Sequence, residues 1–119
     1  IPGTKMDVAQ GGDGDPLDVL VLCESLPSGT VIETRVIATL LLRDQGAVDT
    51  KIIAIPSDSS LQVFPIRDFR DFLLHQDAAR QIIETWFLHY KGPNQTQLIR
   101  WEDEAYAREE INRWSQSRK

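Results

Sequence analysis

Three carboxylates crowd into six residues of this sequence, in the stretch Gly11-Gly12-Asp13-Gly14-Asp15-Pro16-Leu17-Asp18. Groups of one sign set so closely repel each other unless something positive sits between them. Hard divalent cations take oxygen ligands, and closely spaced aspartates supply them. The glycines let the backbone fold tightly around an ion, and Pro16 stiffens the turn. Asp18 opens an apolar run, so a strand would hold its carboxylate rigidly. Taken alone, the stretch also admits a solvated acidic turn, because Asp and Gly favour turns for their own reasons.

Two rival motifs are tested by the letters. Counted from Asp13, a calcium loop of the EF-hand type would need an oxygen ligand where Leu17 stands and a glycine where Asp18 stands, so it fails. A dehalogenase-type Asp-x-Asp phosphatase motif would follow an apolar strand, whereas these aspartates precede one. Further along, Asp44 and Asp49 flank a polar stretch, and Lys51 follows Asp49 on the same side of a strand. A hairpin there would aim both carboxylates at one ion, or would be an ordinary polar loop. A third group, His89-Tyr90-Lys91, closes a helical segment. Tyr90 also fits a core position with its hydroxyl outward, and Lys91 also fits the favourable charge at a helix C-terminus. The two histidines, His75 and His89, give little support for zinc.

The elements that would position these groups are legible in part. Asp18–Cys23 reads as a short buried strand, Val31–Leu42 as a long strand with room for a bend, Lys51–Ile55 as a third and Thr96–Trp101 as a fourth. Residues 43–49 read as a polar loop, and 64–74 are ambiguous. Ala79, Ile82, Ile83, Trp86, Phe87 and Tyr90 recur at helical spacing and predict one apolar stripe. Asp77 is the expected N-cap, Gly92 and Pro93 the stop. A second helix is expected over Asp103–Trp114. Strands in the first half and helices in the second make this mainly β with helices, an α+β chain of one domain.

Composition narrows the function classes. The sequence has 119 residues with 18 acidic and 13 basic side chains, a formal charge of -5. That balance argues against a nucleic-acid backbone as partner, and no apolar stretch approaches membrane-spanning length. The single cysteine, Cys23, is expected to be a buried thiol without a redox role, in a reducing compartment.

In order and spacing, the three chemical segments resemble the soluble family I inorganic pyrophosphatases. The family pattern Asp-x-Asp-Pro-x-Asp plus an apolar residue reads as Asp13-Gly14-Asp15-Pro16-Leu17-Asp18-Val19. Two aspartates followed by a lysine read as Asp44, Asp49 and Lys51, and a Tyr-Lys pair closing a helix reads as Tyr90-Lys91. The resemblance implies an OB-like five-stranded β-barrel with two packed helices over residues 1–119. It also implies hydrolysis of pyrophosphate to two phosphates with several Mg²⁺ ions. Asp13, Asp18, Asp44 and Asp49 correspond to metal ligands, and Asp15 to the group that accepts a proton from the attacking water. Lys51, Tyr90 and Lys91 correspond to groups holding phosphate oxygens. A cytoplasmic homo-oligomer, commonly a hexamer, is expected, with neither nucleic acid nor membrane as partner. The family carries further strands ahead of its first motif. The resemblance therefore also implies an N-terminally incomplete domain, an open sheet edge and low activity of the chain alone. The alternative is a non-catalytic Mg²⁺- or Ca²⁺-binding barrel domain that keeps the acidic cluster.

Overall fold

A computed structural model describes residues 17–24, 26–63, 66–92 and 95–115. The main elements among them are β1 (Asp18–Val21), β2 (Thr34–Asp44), β3 (Ala47–Pro56), α1 (Phe69–His75), α2 (Asp77–His89), β4 (Thr96–Asp103) and α3 (Glu104–Trp114). The strands form one sheet in the order β1-β3-β2-β4. β1 lies parallel to β3, with Asp18 beside Lys51 and Val21 beside Ala54. β2 runs antiparallel to both β3 and β4.

Burial explains the sequence signal of the central strand. Ile52, Ile53, Ala54 and Ile55 of β3 are all buried, so the strand is covered on both faces. Such strands read as unbroken apolar runs rather than alternations. Alternation still sorts the two faces. Leu40, Leu42 and Ile53 pack with Phe72 of α1 and with Ile83 and Phe87 of α2 in the larger core. Ile52 points the other way and packs with Leu17 and with Ala107 and Trp114 of α3. Asp103 caps α3, its carboxylate accepting from the Tyr106 N–H at 2.9 Å.

The α+β class expected from the sequence is present, but the five-stranded barrel is not what the described residues form. β1 and β4 each have one neighbour, so this four-stranded sheet is open at both edges. Closure would require the two edges to pair or another strand to bridge them, and neither occurs among the described residues. The open edge expected from the resemblance is thus found.

Four local expectations are corrected. Helices number three among the described residues, not two, because α1 occupies part of the ambiguous stretch. It is capped by Asp68, which accepts from the Asp71 N–H at 2.8 Å, and Phe72 is its one buried residue. The polar loop over 43–49 shrinks to a two-residue turn. Gln45 (φ 52°) and Gly46 (φ 86°) are both left-handed, which matches the twist of the flanking strands and lets β2 and β3 run up to the turn. The N-cap of α2 is Gln76, not Asp77; Asp77 stands in the first turn and accepts from Gln81 at 2.9 Å. Cys23 is half-buried rather than buried. The bend in the long strand is real, a register shift between Val36 and Ala38. No helix among the described residues is long and apolar enough to cross a membrane.

Candidate metal and phosphate site

Sheet register gathers the charged candidates on one face. Asp18 of β1 pairs with Lys51 of β3, Asp49 of β3 pairs with Leu42 of β2, and Asp44 closes β2 opposite Ala47. Paired residues share a face, and every second residue along a strand returns to it. Asp18, Asp44, Asp49 and Lys51 therefore share the face that α2 covers, beyond the apolar side chains of the larger core. The two-residue turn makes this possible, since it keeps both Asp44 and Asp49 within strands.

Lys51 is the centre of the arrangement. Its Nζ donates to Asp18 Oδ2 at 2.8 Å and lies 3.2 Å from Asp49 Oδ2. Lys51 and Asp49 are buried, whereas the Asp18 side chain is largely exposed. Burial alone would pull the Lys51 pKa down. The hydrogen bond that Lys51 donates to Asp18 and the charges of Asp49 and Asp18 outweigh it and raise the pKa above the ordinary lysine value. The ammonium also stands 5.5 Å from the centre of the Phe87 ring on α2.

A second ion pair lies at the turn end of β2, where Lys91 bonds to Asp44 Oδ2. That hydrogen bond raises the Lys91 pKa. The other oxygen, Asp44 Oδ1, is buried without a hydrogen-bond partner. Tyr90 joins the two pairs through ring contacts. Its ring meets Phe87 edge-on at 6.1 Å, and the Lys91 ammonium lies 5.6 Å from its centre. Gly92, at φ 106°, turns the chain away directly after this pair.

The arrangement fits a divalent cation in part. Asp18 and Asp49 already converge on one cationic centre, the Lys51 ammonium, and Asp44 has an unsatisfied oxygen. Carboxylate oxygens are the donors that a hard cation takes. Among the described residues, no three His, Cys, Asp or Glu side chains cluster closely enough to hold an ion by themselves. Asp13 and Asp15 lie outside the described residues.

The apolar stripe of α2 divides where the sheet stops covering it. Ile83 and Phe87 are buried, but Ile82 is 70% exposed, Trp86 58% and Tyr90 45%. Helical spacing places Phe87 and Trp86 on the apolar stripe and says nothing of a site. Their neighbourhood to the Tyr90-Lys91 pair is the signal that could have connected them with the site.

The whole chain, residues 1–119, matches the family model described as inorganic pyrophosphatase. An inorganic pyrophosphatase of Saccharolobus solfataricus is 42% identical over 106 residues, covering 85% of this chain and 60% of the relative. One from Aeropyrum pernix is 33% identical over 117 residues, covering 95% of this chain and 62% of the relative. The chain thus spans about 60% of the length of these relatives. Among solved structures, the inorganic pyrophosphatase of Schistosoma japonicum superposes with a TM-score of 0.82 at 26% identity, covering 97% of this chain and 45% of that one. The Neisseria gonorrhoeae enzyme gives a TM-score of 0.70 at 34% identity, covering 96% of this chain and 66% of that one.

Proposed function

The chain belongs to the inorganic pyrophosphatase family, and on that premise we propose that its site hydrolyses pyrophosphate to two phosphates with Mg²⁺. The observation that carries the reading is the buried Lys51, held by Asp18 and Asp49 on the face that also carries Asp44. A protonated lysine among carboxylates is what a site for a metal-bound polyanion requires.

Asp13, Asp18, Asp44 and Asp49 are the proposed Mg²⁺ ligands. Ions bound there supply neutralisation of the diphosphate charge and acidify the attacking water. Asp15 accepts the proton of that water as its oxygen bonds to one phosphorus. The bond from that phosphorus to the bridging oxygen breaks, and the second phosphate leaves with the electron pair. Lys51, Tyr90 and Lys91 hold phosphate oxygens, both lysines as cations, with pKa values raised from the ordinary lysine value by their carboxylate partners. The same reading takes the protein to be a cytoplasmic homo-oligomer, a hexamer by resemblance, and light scattering would report the oligomeric state.

Phosphate release from pyrophosphate with Mg²⁺ tests the catalytic assignment, with Asp15→Asn as the control. Release should be present in the protein and lost in the variant. No release, or equal release from both, overturns it. The second reading, a non-catalytic Mg²⁺- or Ca²⁺-binding domain, keeps the acidic cluster without the rest of the site, and it draws on the chain's spanning about 60% of the relatives' length. It predicts calorimetric Mg²⁺ binding with no phosphate release.

A further inference from the structure

The ring of Trp86 lies parallel to that of Tyr90, with centroids 4.7 Å apart and an interplanar angle of 3°. The two residues stand one helical turn apart at the end of α2, a spacing that brings side chains together. Trp86 is more than half exposed, so burial does not account for its place on this surface. Tyr90 is itself nearly half exposed and follows the last helical residue, His89. A tyrosine in that position would ordinarily turn about its side-chain bonds. Here its ring has a face on the indole and an edge contact with Phe87, while the Lys91 ammonium stands close to its centre. Lys91 in turn bonds to Asp44. A continuous series of contacts therefore runs from the exposed indole through Tyr90 and Lys91 to a carboxylate of the site.

We infer that Trp86 is a positioning residue for the phosphate-binding pair Tyr90-Lys91, acting through the stacked ring. The inference rests on the functional reading above. Its role is to hold the Tyr90 hydroxyl in one orientation before the substrate arrives, so that binding does not have to order it.

Three variants and two readouts test this. Trp86→Ala should raise KM for magnesium pyrophosphate by about fivefold while kcat changes by less than about twofold, because the lost effect is on binding rather than on the reaction step. Trp86→Phe, which keeps an aromatic face, should return KM to within about twofold of the parent. In a cycle with Tyr90→Phe, the two losses should be non-additive, since one residue acts through the other. Independently of activity, the Tyr90 ring protons should resonate upfield in the NMR spectrum of the parent, and Trp86→Ala should remove that shift. Additive losses, an unchanged KM, or ring protons indifferent to Trp86→Ala overturn the inference. A parent protein that releases no phosphate overturns the catalytic reading. The ring-proton shifts then decide by themselves whether Trp86 orients Tyr90.

Discussion

Lys51 carries the largest electrostatic responsibility of any described side chain at the site. Its ammonium balances Asp18 and Asp49, so removing it leaves two carboxylates facing each other on one sheet face. Lys51→Met should therefore destabilise the metal-free protein near neutral pH. The expected loss is about 2 kcal/mol, below that for a fully buried pair because Asp18 is solvated. The pH dependence has a definite sign. A lysine whose pKa is raised on folding contributes its stability fully below the ordinary value of 10.5 and loses it as pH climbs through the raised value. Urea midpoints should separate parent from Lys51→Met by a constant interval from neutral pH up to the ordinary value of 10.5, and the interval should shrink above it. A gap that widens in alkali would contradict the pairing. Asp18, Asp49 and Lys51 were legible as chemistry from residue type and spacing. That Lys51 itself joins the two carboxylates was not, because the contact depends on β1 lying parallel to β3 across 33 residues of chain.

The hairpin between β2 and β3 decides whether Asp44 and Asp49 can serve one site. Gly46 sits at φ 86° with open space where a Cβ would stand, so Gly46→Ala meets backbone strain and no clash. The expected cost is about 1 kcal/mol, measurable as a lower urea midpoint with an unchanged slope. Gln45, at φ 52°, is an uncommon residue for that conformation. Gln45→Asn should gain a few tenths of a kcal/mol at about the same slope, since Asn-Gly is the preferred pair in such turns. The sequence signals a longer loop here for a local reason. Gln carries no turn signal, and Arg43, Asp44 and Asp49 looked like loop residues although they stand in strands. α1 leaves no signal in the sequence for another reason, since one buried residue in seven gives no period. Yet Phe72 of that helix is fully buried and packs on Trp101 at 5.5 Å. Phe72→Ala should cost about 3–5 kcal/mol, and thermal unfolding would show it. The stripe on α2 was visible because its period is long, but a period marks which residues can be covered. Only the sheet's extent decides that Ile83 and Phe87 are, while Ile82 and Trp86 are not.

At the scale of the whole molecule, net charge and the proposed metal site make separate electrostatic demands. The chain carries a formal charge of -5, so any salt relieves some general repulsion. The four-stranded sheet adds a local demand, because its register sets Asp18, Asp44 and Asp49 on one face with Lys51 as the shared cation. The family resemblance was legible in three short segments and implied an open edge, whereas the strand order β1-β3-β2-β4 was not legible, since strand signals do not state which strands pair. These two electrostatic terms can be separated by linkage. A ligand that binds the folded state stabilises it in proportion to the logarithm of its concentration above Kd, by about 2.7 kcal/mol at 100 times Kd. Mg²⁺ should therefore raise the unfolding temperature well beyond NaCl at matched ionic strength, and a chelator should reverse the gain. Asp49→Asn should abolish most of the Mg²⁺-specific part and leave the NaCl response intact, because general screening depends on net charge and not on one carboxylate. Equal responses to Mg²⁺ and NaCl would mean that the carboxylates of this face act only as surface charge, and the proposed ligand set would fall with them.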